Sequence, residues 1–281
     1  MRRAARGARQ RRRSQGGVGR SSVSGQPQVR CCDENRLIPS DRALRAAGIG
    51  GGDYVEVGDR FLEYFRDLAS LTPHDAVLEI GCGIGRMARP LTAWLQPPGR
   101  YNGFDVVRAS ISWCQEQITP RHPHFRFHFI DVANSFYNPR GRLVGKDLRF
   151  PFDGATFDLV IAISLFTHVL PDTARTYLAE AGRVLRPGGR LFATWFIWRS
   201  GAAPTEEALK AFPFDCGSYR VVAPDKPEAV VAFSDSAVAE MYRTARLRAT
   251  TTVHGHWIAG EHSLPYQDMI VAVKDSLHER L

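Results

Sequence analysis

The sequence predicts an α/β fold in which helices enclose a mostly parallel sheet. Short apolar runs alternate with segments of helical periodicity along most of the chain, as in consecutive strand–helix units. The first run, residues 76–80, leads into glycines at every second position, Gly81, Gly83 and Gly85, and then into a helical pattern. A strand, a glycine-rich turn and a helix in this order are typical of a nucleotide-binding unit. A simple strand-to-helix turn without a ligand is the alternative interpretation.

The glycine spacing bears on which nucleotide the turn accepts. The dinucleotide-binding pattern is G-x-G-x-x-G, but here Arg86 stands at the third glycine position and Gly85 comes one residue early. Glu79 precedes the first glycine by two residues, and its carboxylate would repel a pyrophosphate while tolerating a cationic ligand. The spacing therefore argues against a dinucleotide.

The series Glu-x-Gly-x-Gly-x-Gly at residues 79–85 resembles motif I of the class I methyltransferases that use S-adenosylmethionine (SAM). Residues 150–160 resemble the segment before motif IV in small-molecule members of the family (type 11/25-like), and residues 183–190 match its Pro-Gly-Gly turn. The resemblance covers roughly residues 55–275. It implies a SAM-dependent methyltransferase with a Rossmann-like, seven-stranded, mostly parallel sheet, its last strand antiparallel and helices on both faces.

Each element is predicted from its own pattern. An amphipathic stripe indicates a helix over residues 53–70, and proline or glycine interrupts most of the later segments. The predicted strands cover residues 76–80, 101–104, 125–130, 157–163, 191–197, 247–253 and 268–273, and the later helices cover 87–95, 107–118, 173–185 and 236–245. Two long segments, 134–148 and 198–233, are predicted to be irregular loops on the substrate side, because long loops at an active face are usually functional.

The charge of the chain is concentrated near its N-terminus. The first 30 residues hold nine arginines and no acid; without them, 28 basic residues face 29 acidic ones. We therefore expect a disordered tail over residues 1–35 and a single, nearly neutral domain over 36–281. The tail suits a nucleic-acid-binding arm, a transit peptide or a solvated extension. An RNA-directed methyltransferase or RNA-binding protein is the alternative function, but the near-neutral body argues against a nucleic-acid partner.

Composition limits the other classes of protein. No apolar run approaches the roughly 20 residues of a membrane span. The five cysteines form no C-x-x-C pair, so neither a zinc site nor a disulfide framework is indicated. These features predict a cytoplasmic protein with free thiols and no metal.

The resemblance assigns SAM as the cofactor and places its binding residues at the carboxyl ends of the strands. Asp105 closes the second strand, where an acceptor-only carboxylate suits the two ribose hydroxyls. Asp131 closes the third strand and is assigned to the adenine, with a helix cap as the alternative. The expected cofactor-binding residues are Glu79, Gly81, Cys82, Gly83, Gly85, Asp105, Val106, Asp131, Val132 and Ser164.

Methyl transfer to a hydroxyl benefits from a base that removes the proton. His168, just past the fourth strand, is the first candidate, and His254 and His256 are the second; a structural histidine is the alternative for each. Residues 164–167 lack the Pro-Pro-Tyr/Phe box that is typical of amino-methyltransferases. By elimination, we expect O-methylation of a small metabolite or of a sugar or glycan hydroxyl.

Overall fold

The computed structural model describes residues 37–47, 53–199, 206–259 and 265–275. The strands and helices of these segments are, in chain order, α1 (Asp41–Ala46), α2 (Tyr54–Ala69), β1 (Ala76–Ile80), α3 (Ala88–Trp94), β2 (Arg100–Asp105), α4 (Arg108–Gln117), β3 (Phe125–Phe129), β4 (Phe157–Ala162), α5 (Pro171–Val184), β5 (Leu185–Trp195), β6 (Ile197–Trp198), α6 (Glu206–Ala211), β7 (Phe214–Asp215), β8 (Tyr219–Val221), β9 (Val231–Ser234), α7 (Asp235–Thr244), β10 (Leu247–Val253) and β11 (Asp268–Lys274). The predicted tail, residues 1–35, lies outside them.

Seven of the strands form one sheet in the order β10-β11-β5-β4-β1-β2-β3. The pairs from β3 to β5 are parallel, whereas β11 runs antiparallel to both β5 and β10. This confirms the predicted Rossmann-like sheet. The carboxyl ends of β1, β2, β3 and β4 consequently meet at one edge, together with the connection between β10 and β11.

The central strand β1 is buried along its whole length. Its side chains alternate between two cores: Leu78 and Ile80 pack on the face with α5 and α7, and Val77 packs on the face with α2, α3 and α4. Because both faces are covered, the strand is continuously apolar rather than alternating. Glu79 is the charged residue in this run and is itself buried.

Helix α2 lies directly on the glycine turn, and its sequence explains how. Asp53 caps its N-terminus by accepting hydrogen bonds from Val55 N and Glu56 N at 2.8 Å. A Cβ at Gly58 would come within 2.7 Å of Arg86 O, so only glycine permits this approach. The predicted helix over residues 53–70 is confirmed.

The segment 198–233 was predicted to be irregular, and that prediction is wrong for its described part. Residues 206–211 form α6, and a second sheet has the order β6-β9-β8-β7. Its strands are only two to four residues long, too short for a recognisable alternation of apolar and polar side chains. The prediction for the fifth strand also began too late, because β5 starts at Leu185 and its pairing with β4 is irregular before Arg190.

Within the described segments, no helix combines the length and hydropathy that crossing a bilayer requires.

Candidate active site

A cavity of about 1320 Å³ opens at the carboxyl edge of the large sheet. It is bordered by the glycine turn, the ends of β2 and β4, the segment after β3, helix α2 and the small sheet. The lining residues used below are Glu79, Gly81, Cys82, Gly83, Arg86, Asp105, Val106, Val107, Val132, Asn134, Tyr137, Ser164, His168, Phe196, Phe212, Val222, Glu228, Val230, Trp257, Tyr266 and Gln267. The cavity thus brings together segments that are far apart in the chain.

The three glycines of the turn all have positive φ angles of 52–81°, a backbone conformation that favours glycine. An added Cβ at Gly85 would lie 2.9 Å from Ile118 Cδ1, and one at Gly81 would lie 3.0 Å from Leu165 Cδ1. At Gly83, by contrast, a Cβ would meet no protein atom within 4 Å. Gly83 therefore keeps the backbone open toward the cavity, as a closely bound ligand requires.

Asp105 ends β2 beside this turn. Its Oδ2 accepts a hydrogen bond from Gly83 N at 2.7 Å, and its Oδ1 accepts one from Val107 N at 2.8 Å. Burial raises the pKa of the carboxyl group, although these backbone donors act in the opposite direction. Because each carboxylate oxygen has two lone pairs, acceptor capacity remains on the cavity side.

Glu79 lies beneath the turn, where it accepts a hydrogen bond from the Tyr101 hydroxyl. Burial raises the pKa of Glu79 to about 8, so the carboxyl group is mostly protonated at pH 7. Gly103 is the pairing partner of Glu79 on β2, and a Cβ there would lie 2.7 Å from Tyr101 Oη. The sequence did not identify Tyr101 as the partner of Glu79. The signal that Glu79 needs such a partner is its position inside an apolar strand, because a buried carboxyl group requires a hydrogen bond.

Arg86, noted in the sequence only as a departure from the dinucleotide pattern, points to the same cavity. Its half-buried side chain interacts electrostatically with Tyr54, Glu79 and Tyr137, and burial lowers the pKa of its guanidinium. A cation here, beside a carboxyl group, suits the zwitterionic end of an amino acid.

His168 is held at the cavity by two other segments of the chain, the turn with Asn134 and Tyr137 and the segment with Glu228. Its Nδ1 lies 3.3 Å from Glu228 O, and Asn134 Nδ2 donates to its backbone oxygen at 2.8 Å. A carbonyl oxygen can only accept, so Nδ1 carries the hydrogen and Nε2 is the acceptor. Nε2 lies 3.4 Å from Tyr137 Oη, and burial lowers the pKa of the imidazole. The ring is therefore neutral at pH 7.

The other candidates are distributed unevenly around this site. Cys82, Val106, Val132 and Ser164 line the cavity, and Ser164 has the unusual φ of 55° for a residue with a side chain. Four candidates, Gly85, Asp131, His254 and His256, are not among its lining residues in the described segments.

Asp131 and His254 bond elsewhere. Asp131 accepts hydrogen bonds from Arg142 Nε at 2.7 Å and Asn138 Nδ2 at 3.1 Å, within the segment after β3. The imidazole of His254 is 65% exposed and lies 3.4 Å from Asp268. The structure therefore brings His168 to the cavity, whereas His254 and Asp131 are not among its lining residues.

Comparison with known proteins matches residues 78–193 to the family described as Methyltransferase domain. Residues 78–193 are therefore similar to a methyltransferase domain, and the sheet around them has the class I methyltransferase fold.

Two curated relatives are also methyltransferases. The chain is 38% identical over 120 residues to phthiotriol/phenolphthiotriol dimycocerosates methyltransferase 1 of Mycobacterium ulcerans (strain Agy99), covering 42% of this chain and 36% of that protein. It is 27% identical over 135 residues to O-methyltransferase cnsE of Penicillium expansum, covering 48% and 43%. The matches thus span less than half the length of either relative.

Solved structures show the same fold. Geranyl diphosphate C-methyltransferase from Streptomyces coelicolor A3(2), solved with Mg²⁺, geranyl diphosphate and S-adenosyl-L-homocysteine, superposes with a TM-score of 0.53 at 16% identity. The superposition covers 78% of this chain and 77% of that one. At this identity the likeness establishes only the fold.

Asp268, at the start of β11 and outside the family match, connects two parts of the fold. Its buried carboxylate accepts hydrogen bonds from Trp257 Nε1 at 2.7 Å, Ile197 N at 3.0 Å and Gly255 N at 3.2 Å. One side chain therefore ties the β10–β11 connection to the small sheet.

Asp268→Ala is expected to destabilise the domain by about 3 kcal/mol, because it leaves buried donors without an acceptor. The melting temperature should fall by about 6–12 °C. Asp275→Ala is the control: this exposed carboxylate lies 3.5 Å from Arg248, so its loss should change stability by less than about 0.5 kcal/mol. Equal melting temperatures for both variants would contradict the assigned role of Asp268.

Proposed function

We propose that this chain transfers a methyl group from SAM to the hydroxyl group of a small molecule. The observation that carries the proposal is the pairing of Gly83 with Asp105 at the cavity. The glycine has space for a ligand where a Cβ would be, and the carboxylate beside it keeps acceptor capacity. This combination suits a nucleoside with two ribose hydroxyls.

The residues around the turn fit the rest of SAM. Arg86 supplies a positive charge for its carboxylate group, and Glu79 supplies a negative charge once the bound amino group favours its ionised form. Val106 and Val132 offer apolar surface for the adenine. When bound, SAM supplies a methyl group on a positively charged sulfur. The chain itself must hold and orient the acceptor, exclude water and take up the hydroxyl proton.

His168 Nε2 is the proposed proton acceptor. Its tautomer is set by Glu228 O, and its neutral state at pH 7 leaves the lone pair available. The Tyr137 hydroxyl stands beside this nitrogen and orients the acceptor hydroxyl toward it. At 3.4 Å the contact between Oη and Nε2 is long and weak, so the acceptor hydroxyl can take the place of the tyrosine at this lone pair.

Calorimetric titration of the full chain with S-adenosylhomocysteine tests the proposal. The wild type is expected to bind, and Asp105→Ala to bind about 10- to 100-fold more weakly, since hydrogen bonds to a charged group contribute about 1.5–3 kcal/mol. Asp172→Ala, which removes an exposed acid of α5, should bind as the wild type does. No binding by the wild type, or undiminished binding by Asp105→Ala, would refute the proposal.

A further inference from the structure

The small sheet and its flanking turns give the cavity an apolar wall, formed by Phe196, Phe212, Val222, Val230 and Trp257. The rings pack on one another, with centroids 5.2 Å apart for Phe196 and Trp257 and 5.5 Å apart for Phe212 and Trp257. These residues follow β5, α6 and β8, precede β9 and lie between β10 and β11. The wall thus belongs to the segments outside the family match, except for the strand that leads into it.

Polar side chains next to this wall already have partners in the protein. Trp257 Nε1 donates to Asp268, and Glu228 Oε2 accepts from Ser135 N at 2.6 Å. Gln267 Oε1 accepts from Ser164 Oγ at 3.1 Å. A ligand against the wall therefore finds mainly apolar contact area.

The wall is also held in place rather than loosely packed. Arg220 of β8 donates from Nε to Phe212 O at 2.8 Å and from Nη1 to Asp215 Oδ2 at 2.6 Å. The backbone that presents Phe212 is thereby fixed to the small sheet. A fixed apolar surface favours binding of an apolar ligand, because the protein's side chains lose little conformational freedom when the ligand binds.

The cavity has room for a second molecule beside the cofactor. Ligand sites of about 300–1,000 Å³ enclose one drug-sized molecule, and this cavity measures about 1320 Å³. The glycine turn belongs to the β1–β2 part of the sheet edge, whereas the wall is built around β5 and β11. The two ligands would therefore occupy different ends of one cavity.

We infer that the methyl acceptor is a neutral, largely apolar alcohol or phenol whose hydrocarbon body lies on this wall. This inference rests on the proposed function and narrows the acceptor expected from the sequence, which included a sugar or glycan. A sugar carries several hydroxyls that must each exchange water for a protein partner, and an unpaired buried hydroxyl is costly. The wall offers apolar contact area to a hydrocarbon body rather than a set of hydrogen-bond partners for several hydroxyls.

Fluorescence titration with N-phenyl-1-naphthylamine, a neutral apolar probe, tests the inference on the full chain saturated with S-adenosylhomocysteine. We expect saturable binding that 2-naphthol displaces and that methyl α-D-glucopyranoside does not. Phe212→Ser should weaken probe binding at least about 10-fold, since it removes much of a buried aromatic contact. Phe214→Ser is the matched control, because Phe214 is 45% exposed and lies outside the cavity lining.

Phe212 is buried, so retained S-adenosylhomocysteine binding must accompany the result. Val222→Asp, at a half-buried position of the wall, is the second variant and should also weaken the probe at least about 10-fold. Displacement by the glucoside, no saturable binding, or unchanged affinity in variants that still bind S-adenosylhomocysteine would overturn the inference. Failure of the cofactor titration in the wild type would instead refute the proposed function, whatever the probe does.

Discussion

His168→Ala is expected to lower kcat for methyl transfer by about 10²- to 10⁴-fold, which is the usual contribution of a positioned general base. In the wild type, His168 Nε2 is the acceptor nitrogen at the cavity. The alanine side chain has no atom that could take up the proton. The measurement is transfer of tritiated methyl from SAM to 2-naphthol, with S-adenosylhomocysteine affinity recorded in parallel. That affinity should change by less than about threefold, because His168 is assigned to the proton and not to the cofactor.

His254→Ala provides the comparison for this measurement. Its exposed imidazole lies beside Asp268 and outside the cavity lining, so kcat should stay within about threefold of the wild type. In the wild type, kcat should fall only below about pH 6.5, because burial lowers the pKa of His168 and the imidazole loses its acceptor when protonated. Equal losses in the two variants, or activity in His168→Ala near that of the wild type, would rule out His168 as the base.

Glu79→Gln is expected to remove a large pH dependence of stability. The pKa of Glu79 is raised from 4.5 to about 8 in the folded state, so the native protein holds this proton more tightly than the unfolded chain does. The resulting stability is fully present below about pH 4.5 and is lost as pH rises through 8. The wild type should lose up to about 1.4 kcal/mol per pH unit across this window, on the order of 3–5 kcal/mol in total.

Urea unfolding at pH 5 and pH 8.5 measures this difference. Glutamine can still accept the Tyr101 hydroxyl but cannot ionise, so the variant should match the wild type at the lower pH and exceed it at the higher one. Glu56→Gln, an exposed acid at the cavity, should follow the wild type at both. Parallel profiles for Glu79→Gln and the wild type would show that Glu79 does not titrate in this range.

The same proton connects Glu79 to the proposed cofactor. A bound ammonium group favours the ionised carboxylate, so S-adenosylhomocysteine binding at pH 7 should release up to about one proton. Calorimetry in buffers of different ionisation enthalpy detects this release, and Glu79→Gln should abolish it.

The large sheet and the geometry of the glycine turn could be predicted from the sequence because both depend on local patterns. The strand over residues 76–80, the glycine turn and the acid at Asp105 each have a length or spacing that only a few structures satisfy. That Glu79 needs a hydrogen-bond partner could be inferred, since a buried acid requires one, but Tyr101 could not be identified as that partner. The register between β1 and β2 determines which side chain reaches Glu79.

The small sheet and the surroundings of His168 could not be predicted in this way. The strands of the small sheet have two to four residues, too few for an alternating pattern to be recognised, and the tyrosine beside His168 comes from a turn 31 residues earlier in the chain. Likewise, Asp131 lies after β3 as expected, but its carboxylate accepts a hydrogen bond from Arg142 Nε. These outcomes depend on long-range packing rather than on local propensity.

The residues proposed for the two ligands come from different parts of the chain. Those proposed for the methyl donor come with β1, β2 and the segment after β3, whereas the apolar wall comes with β5, the small sheet and the β10–β11 connection. Between these two groups the chain contains β4, the turn with Ser164 and His168, and helix α5. Under the proposed function, a chimaera that is joined within β5 and exchanges the residues after it is therefore expected to change the acceptor and to keep its affinity for S-adenosylhomocysteine.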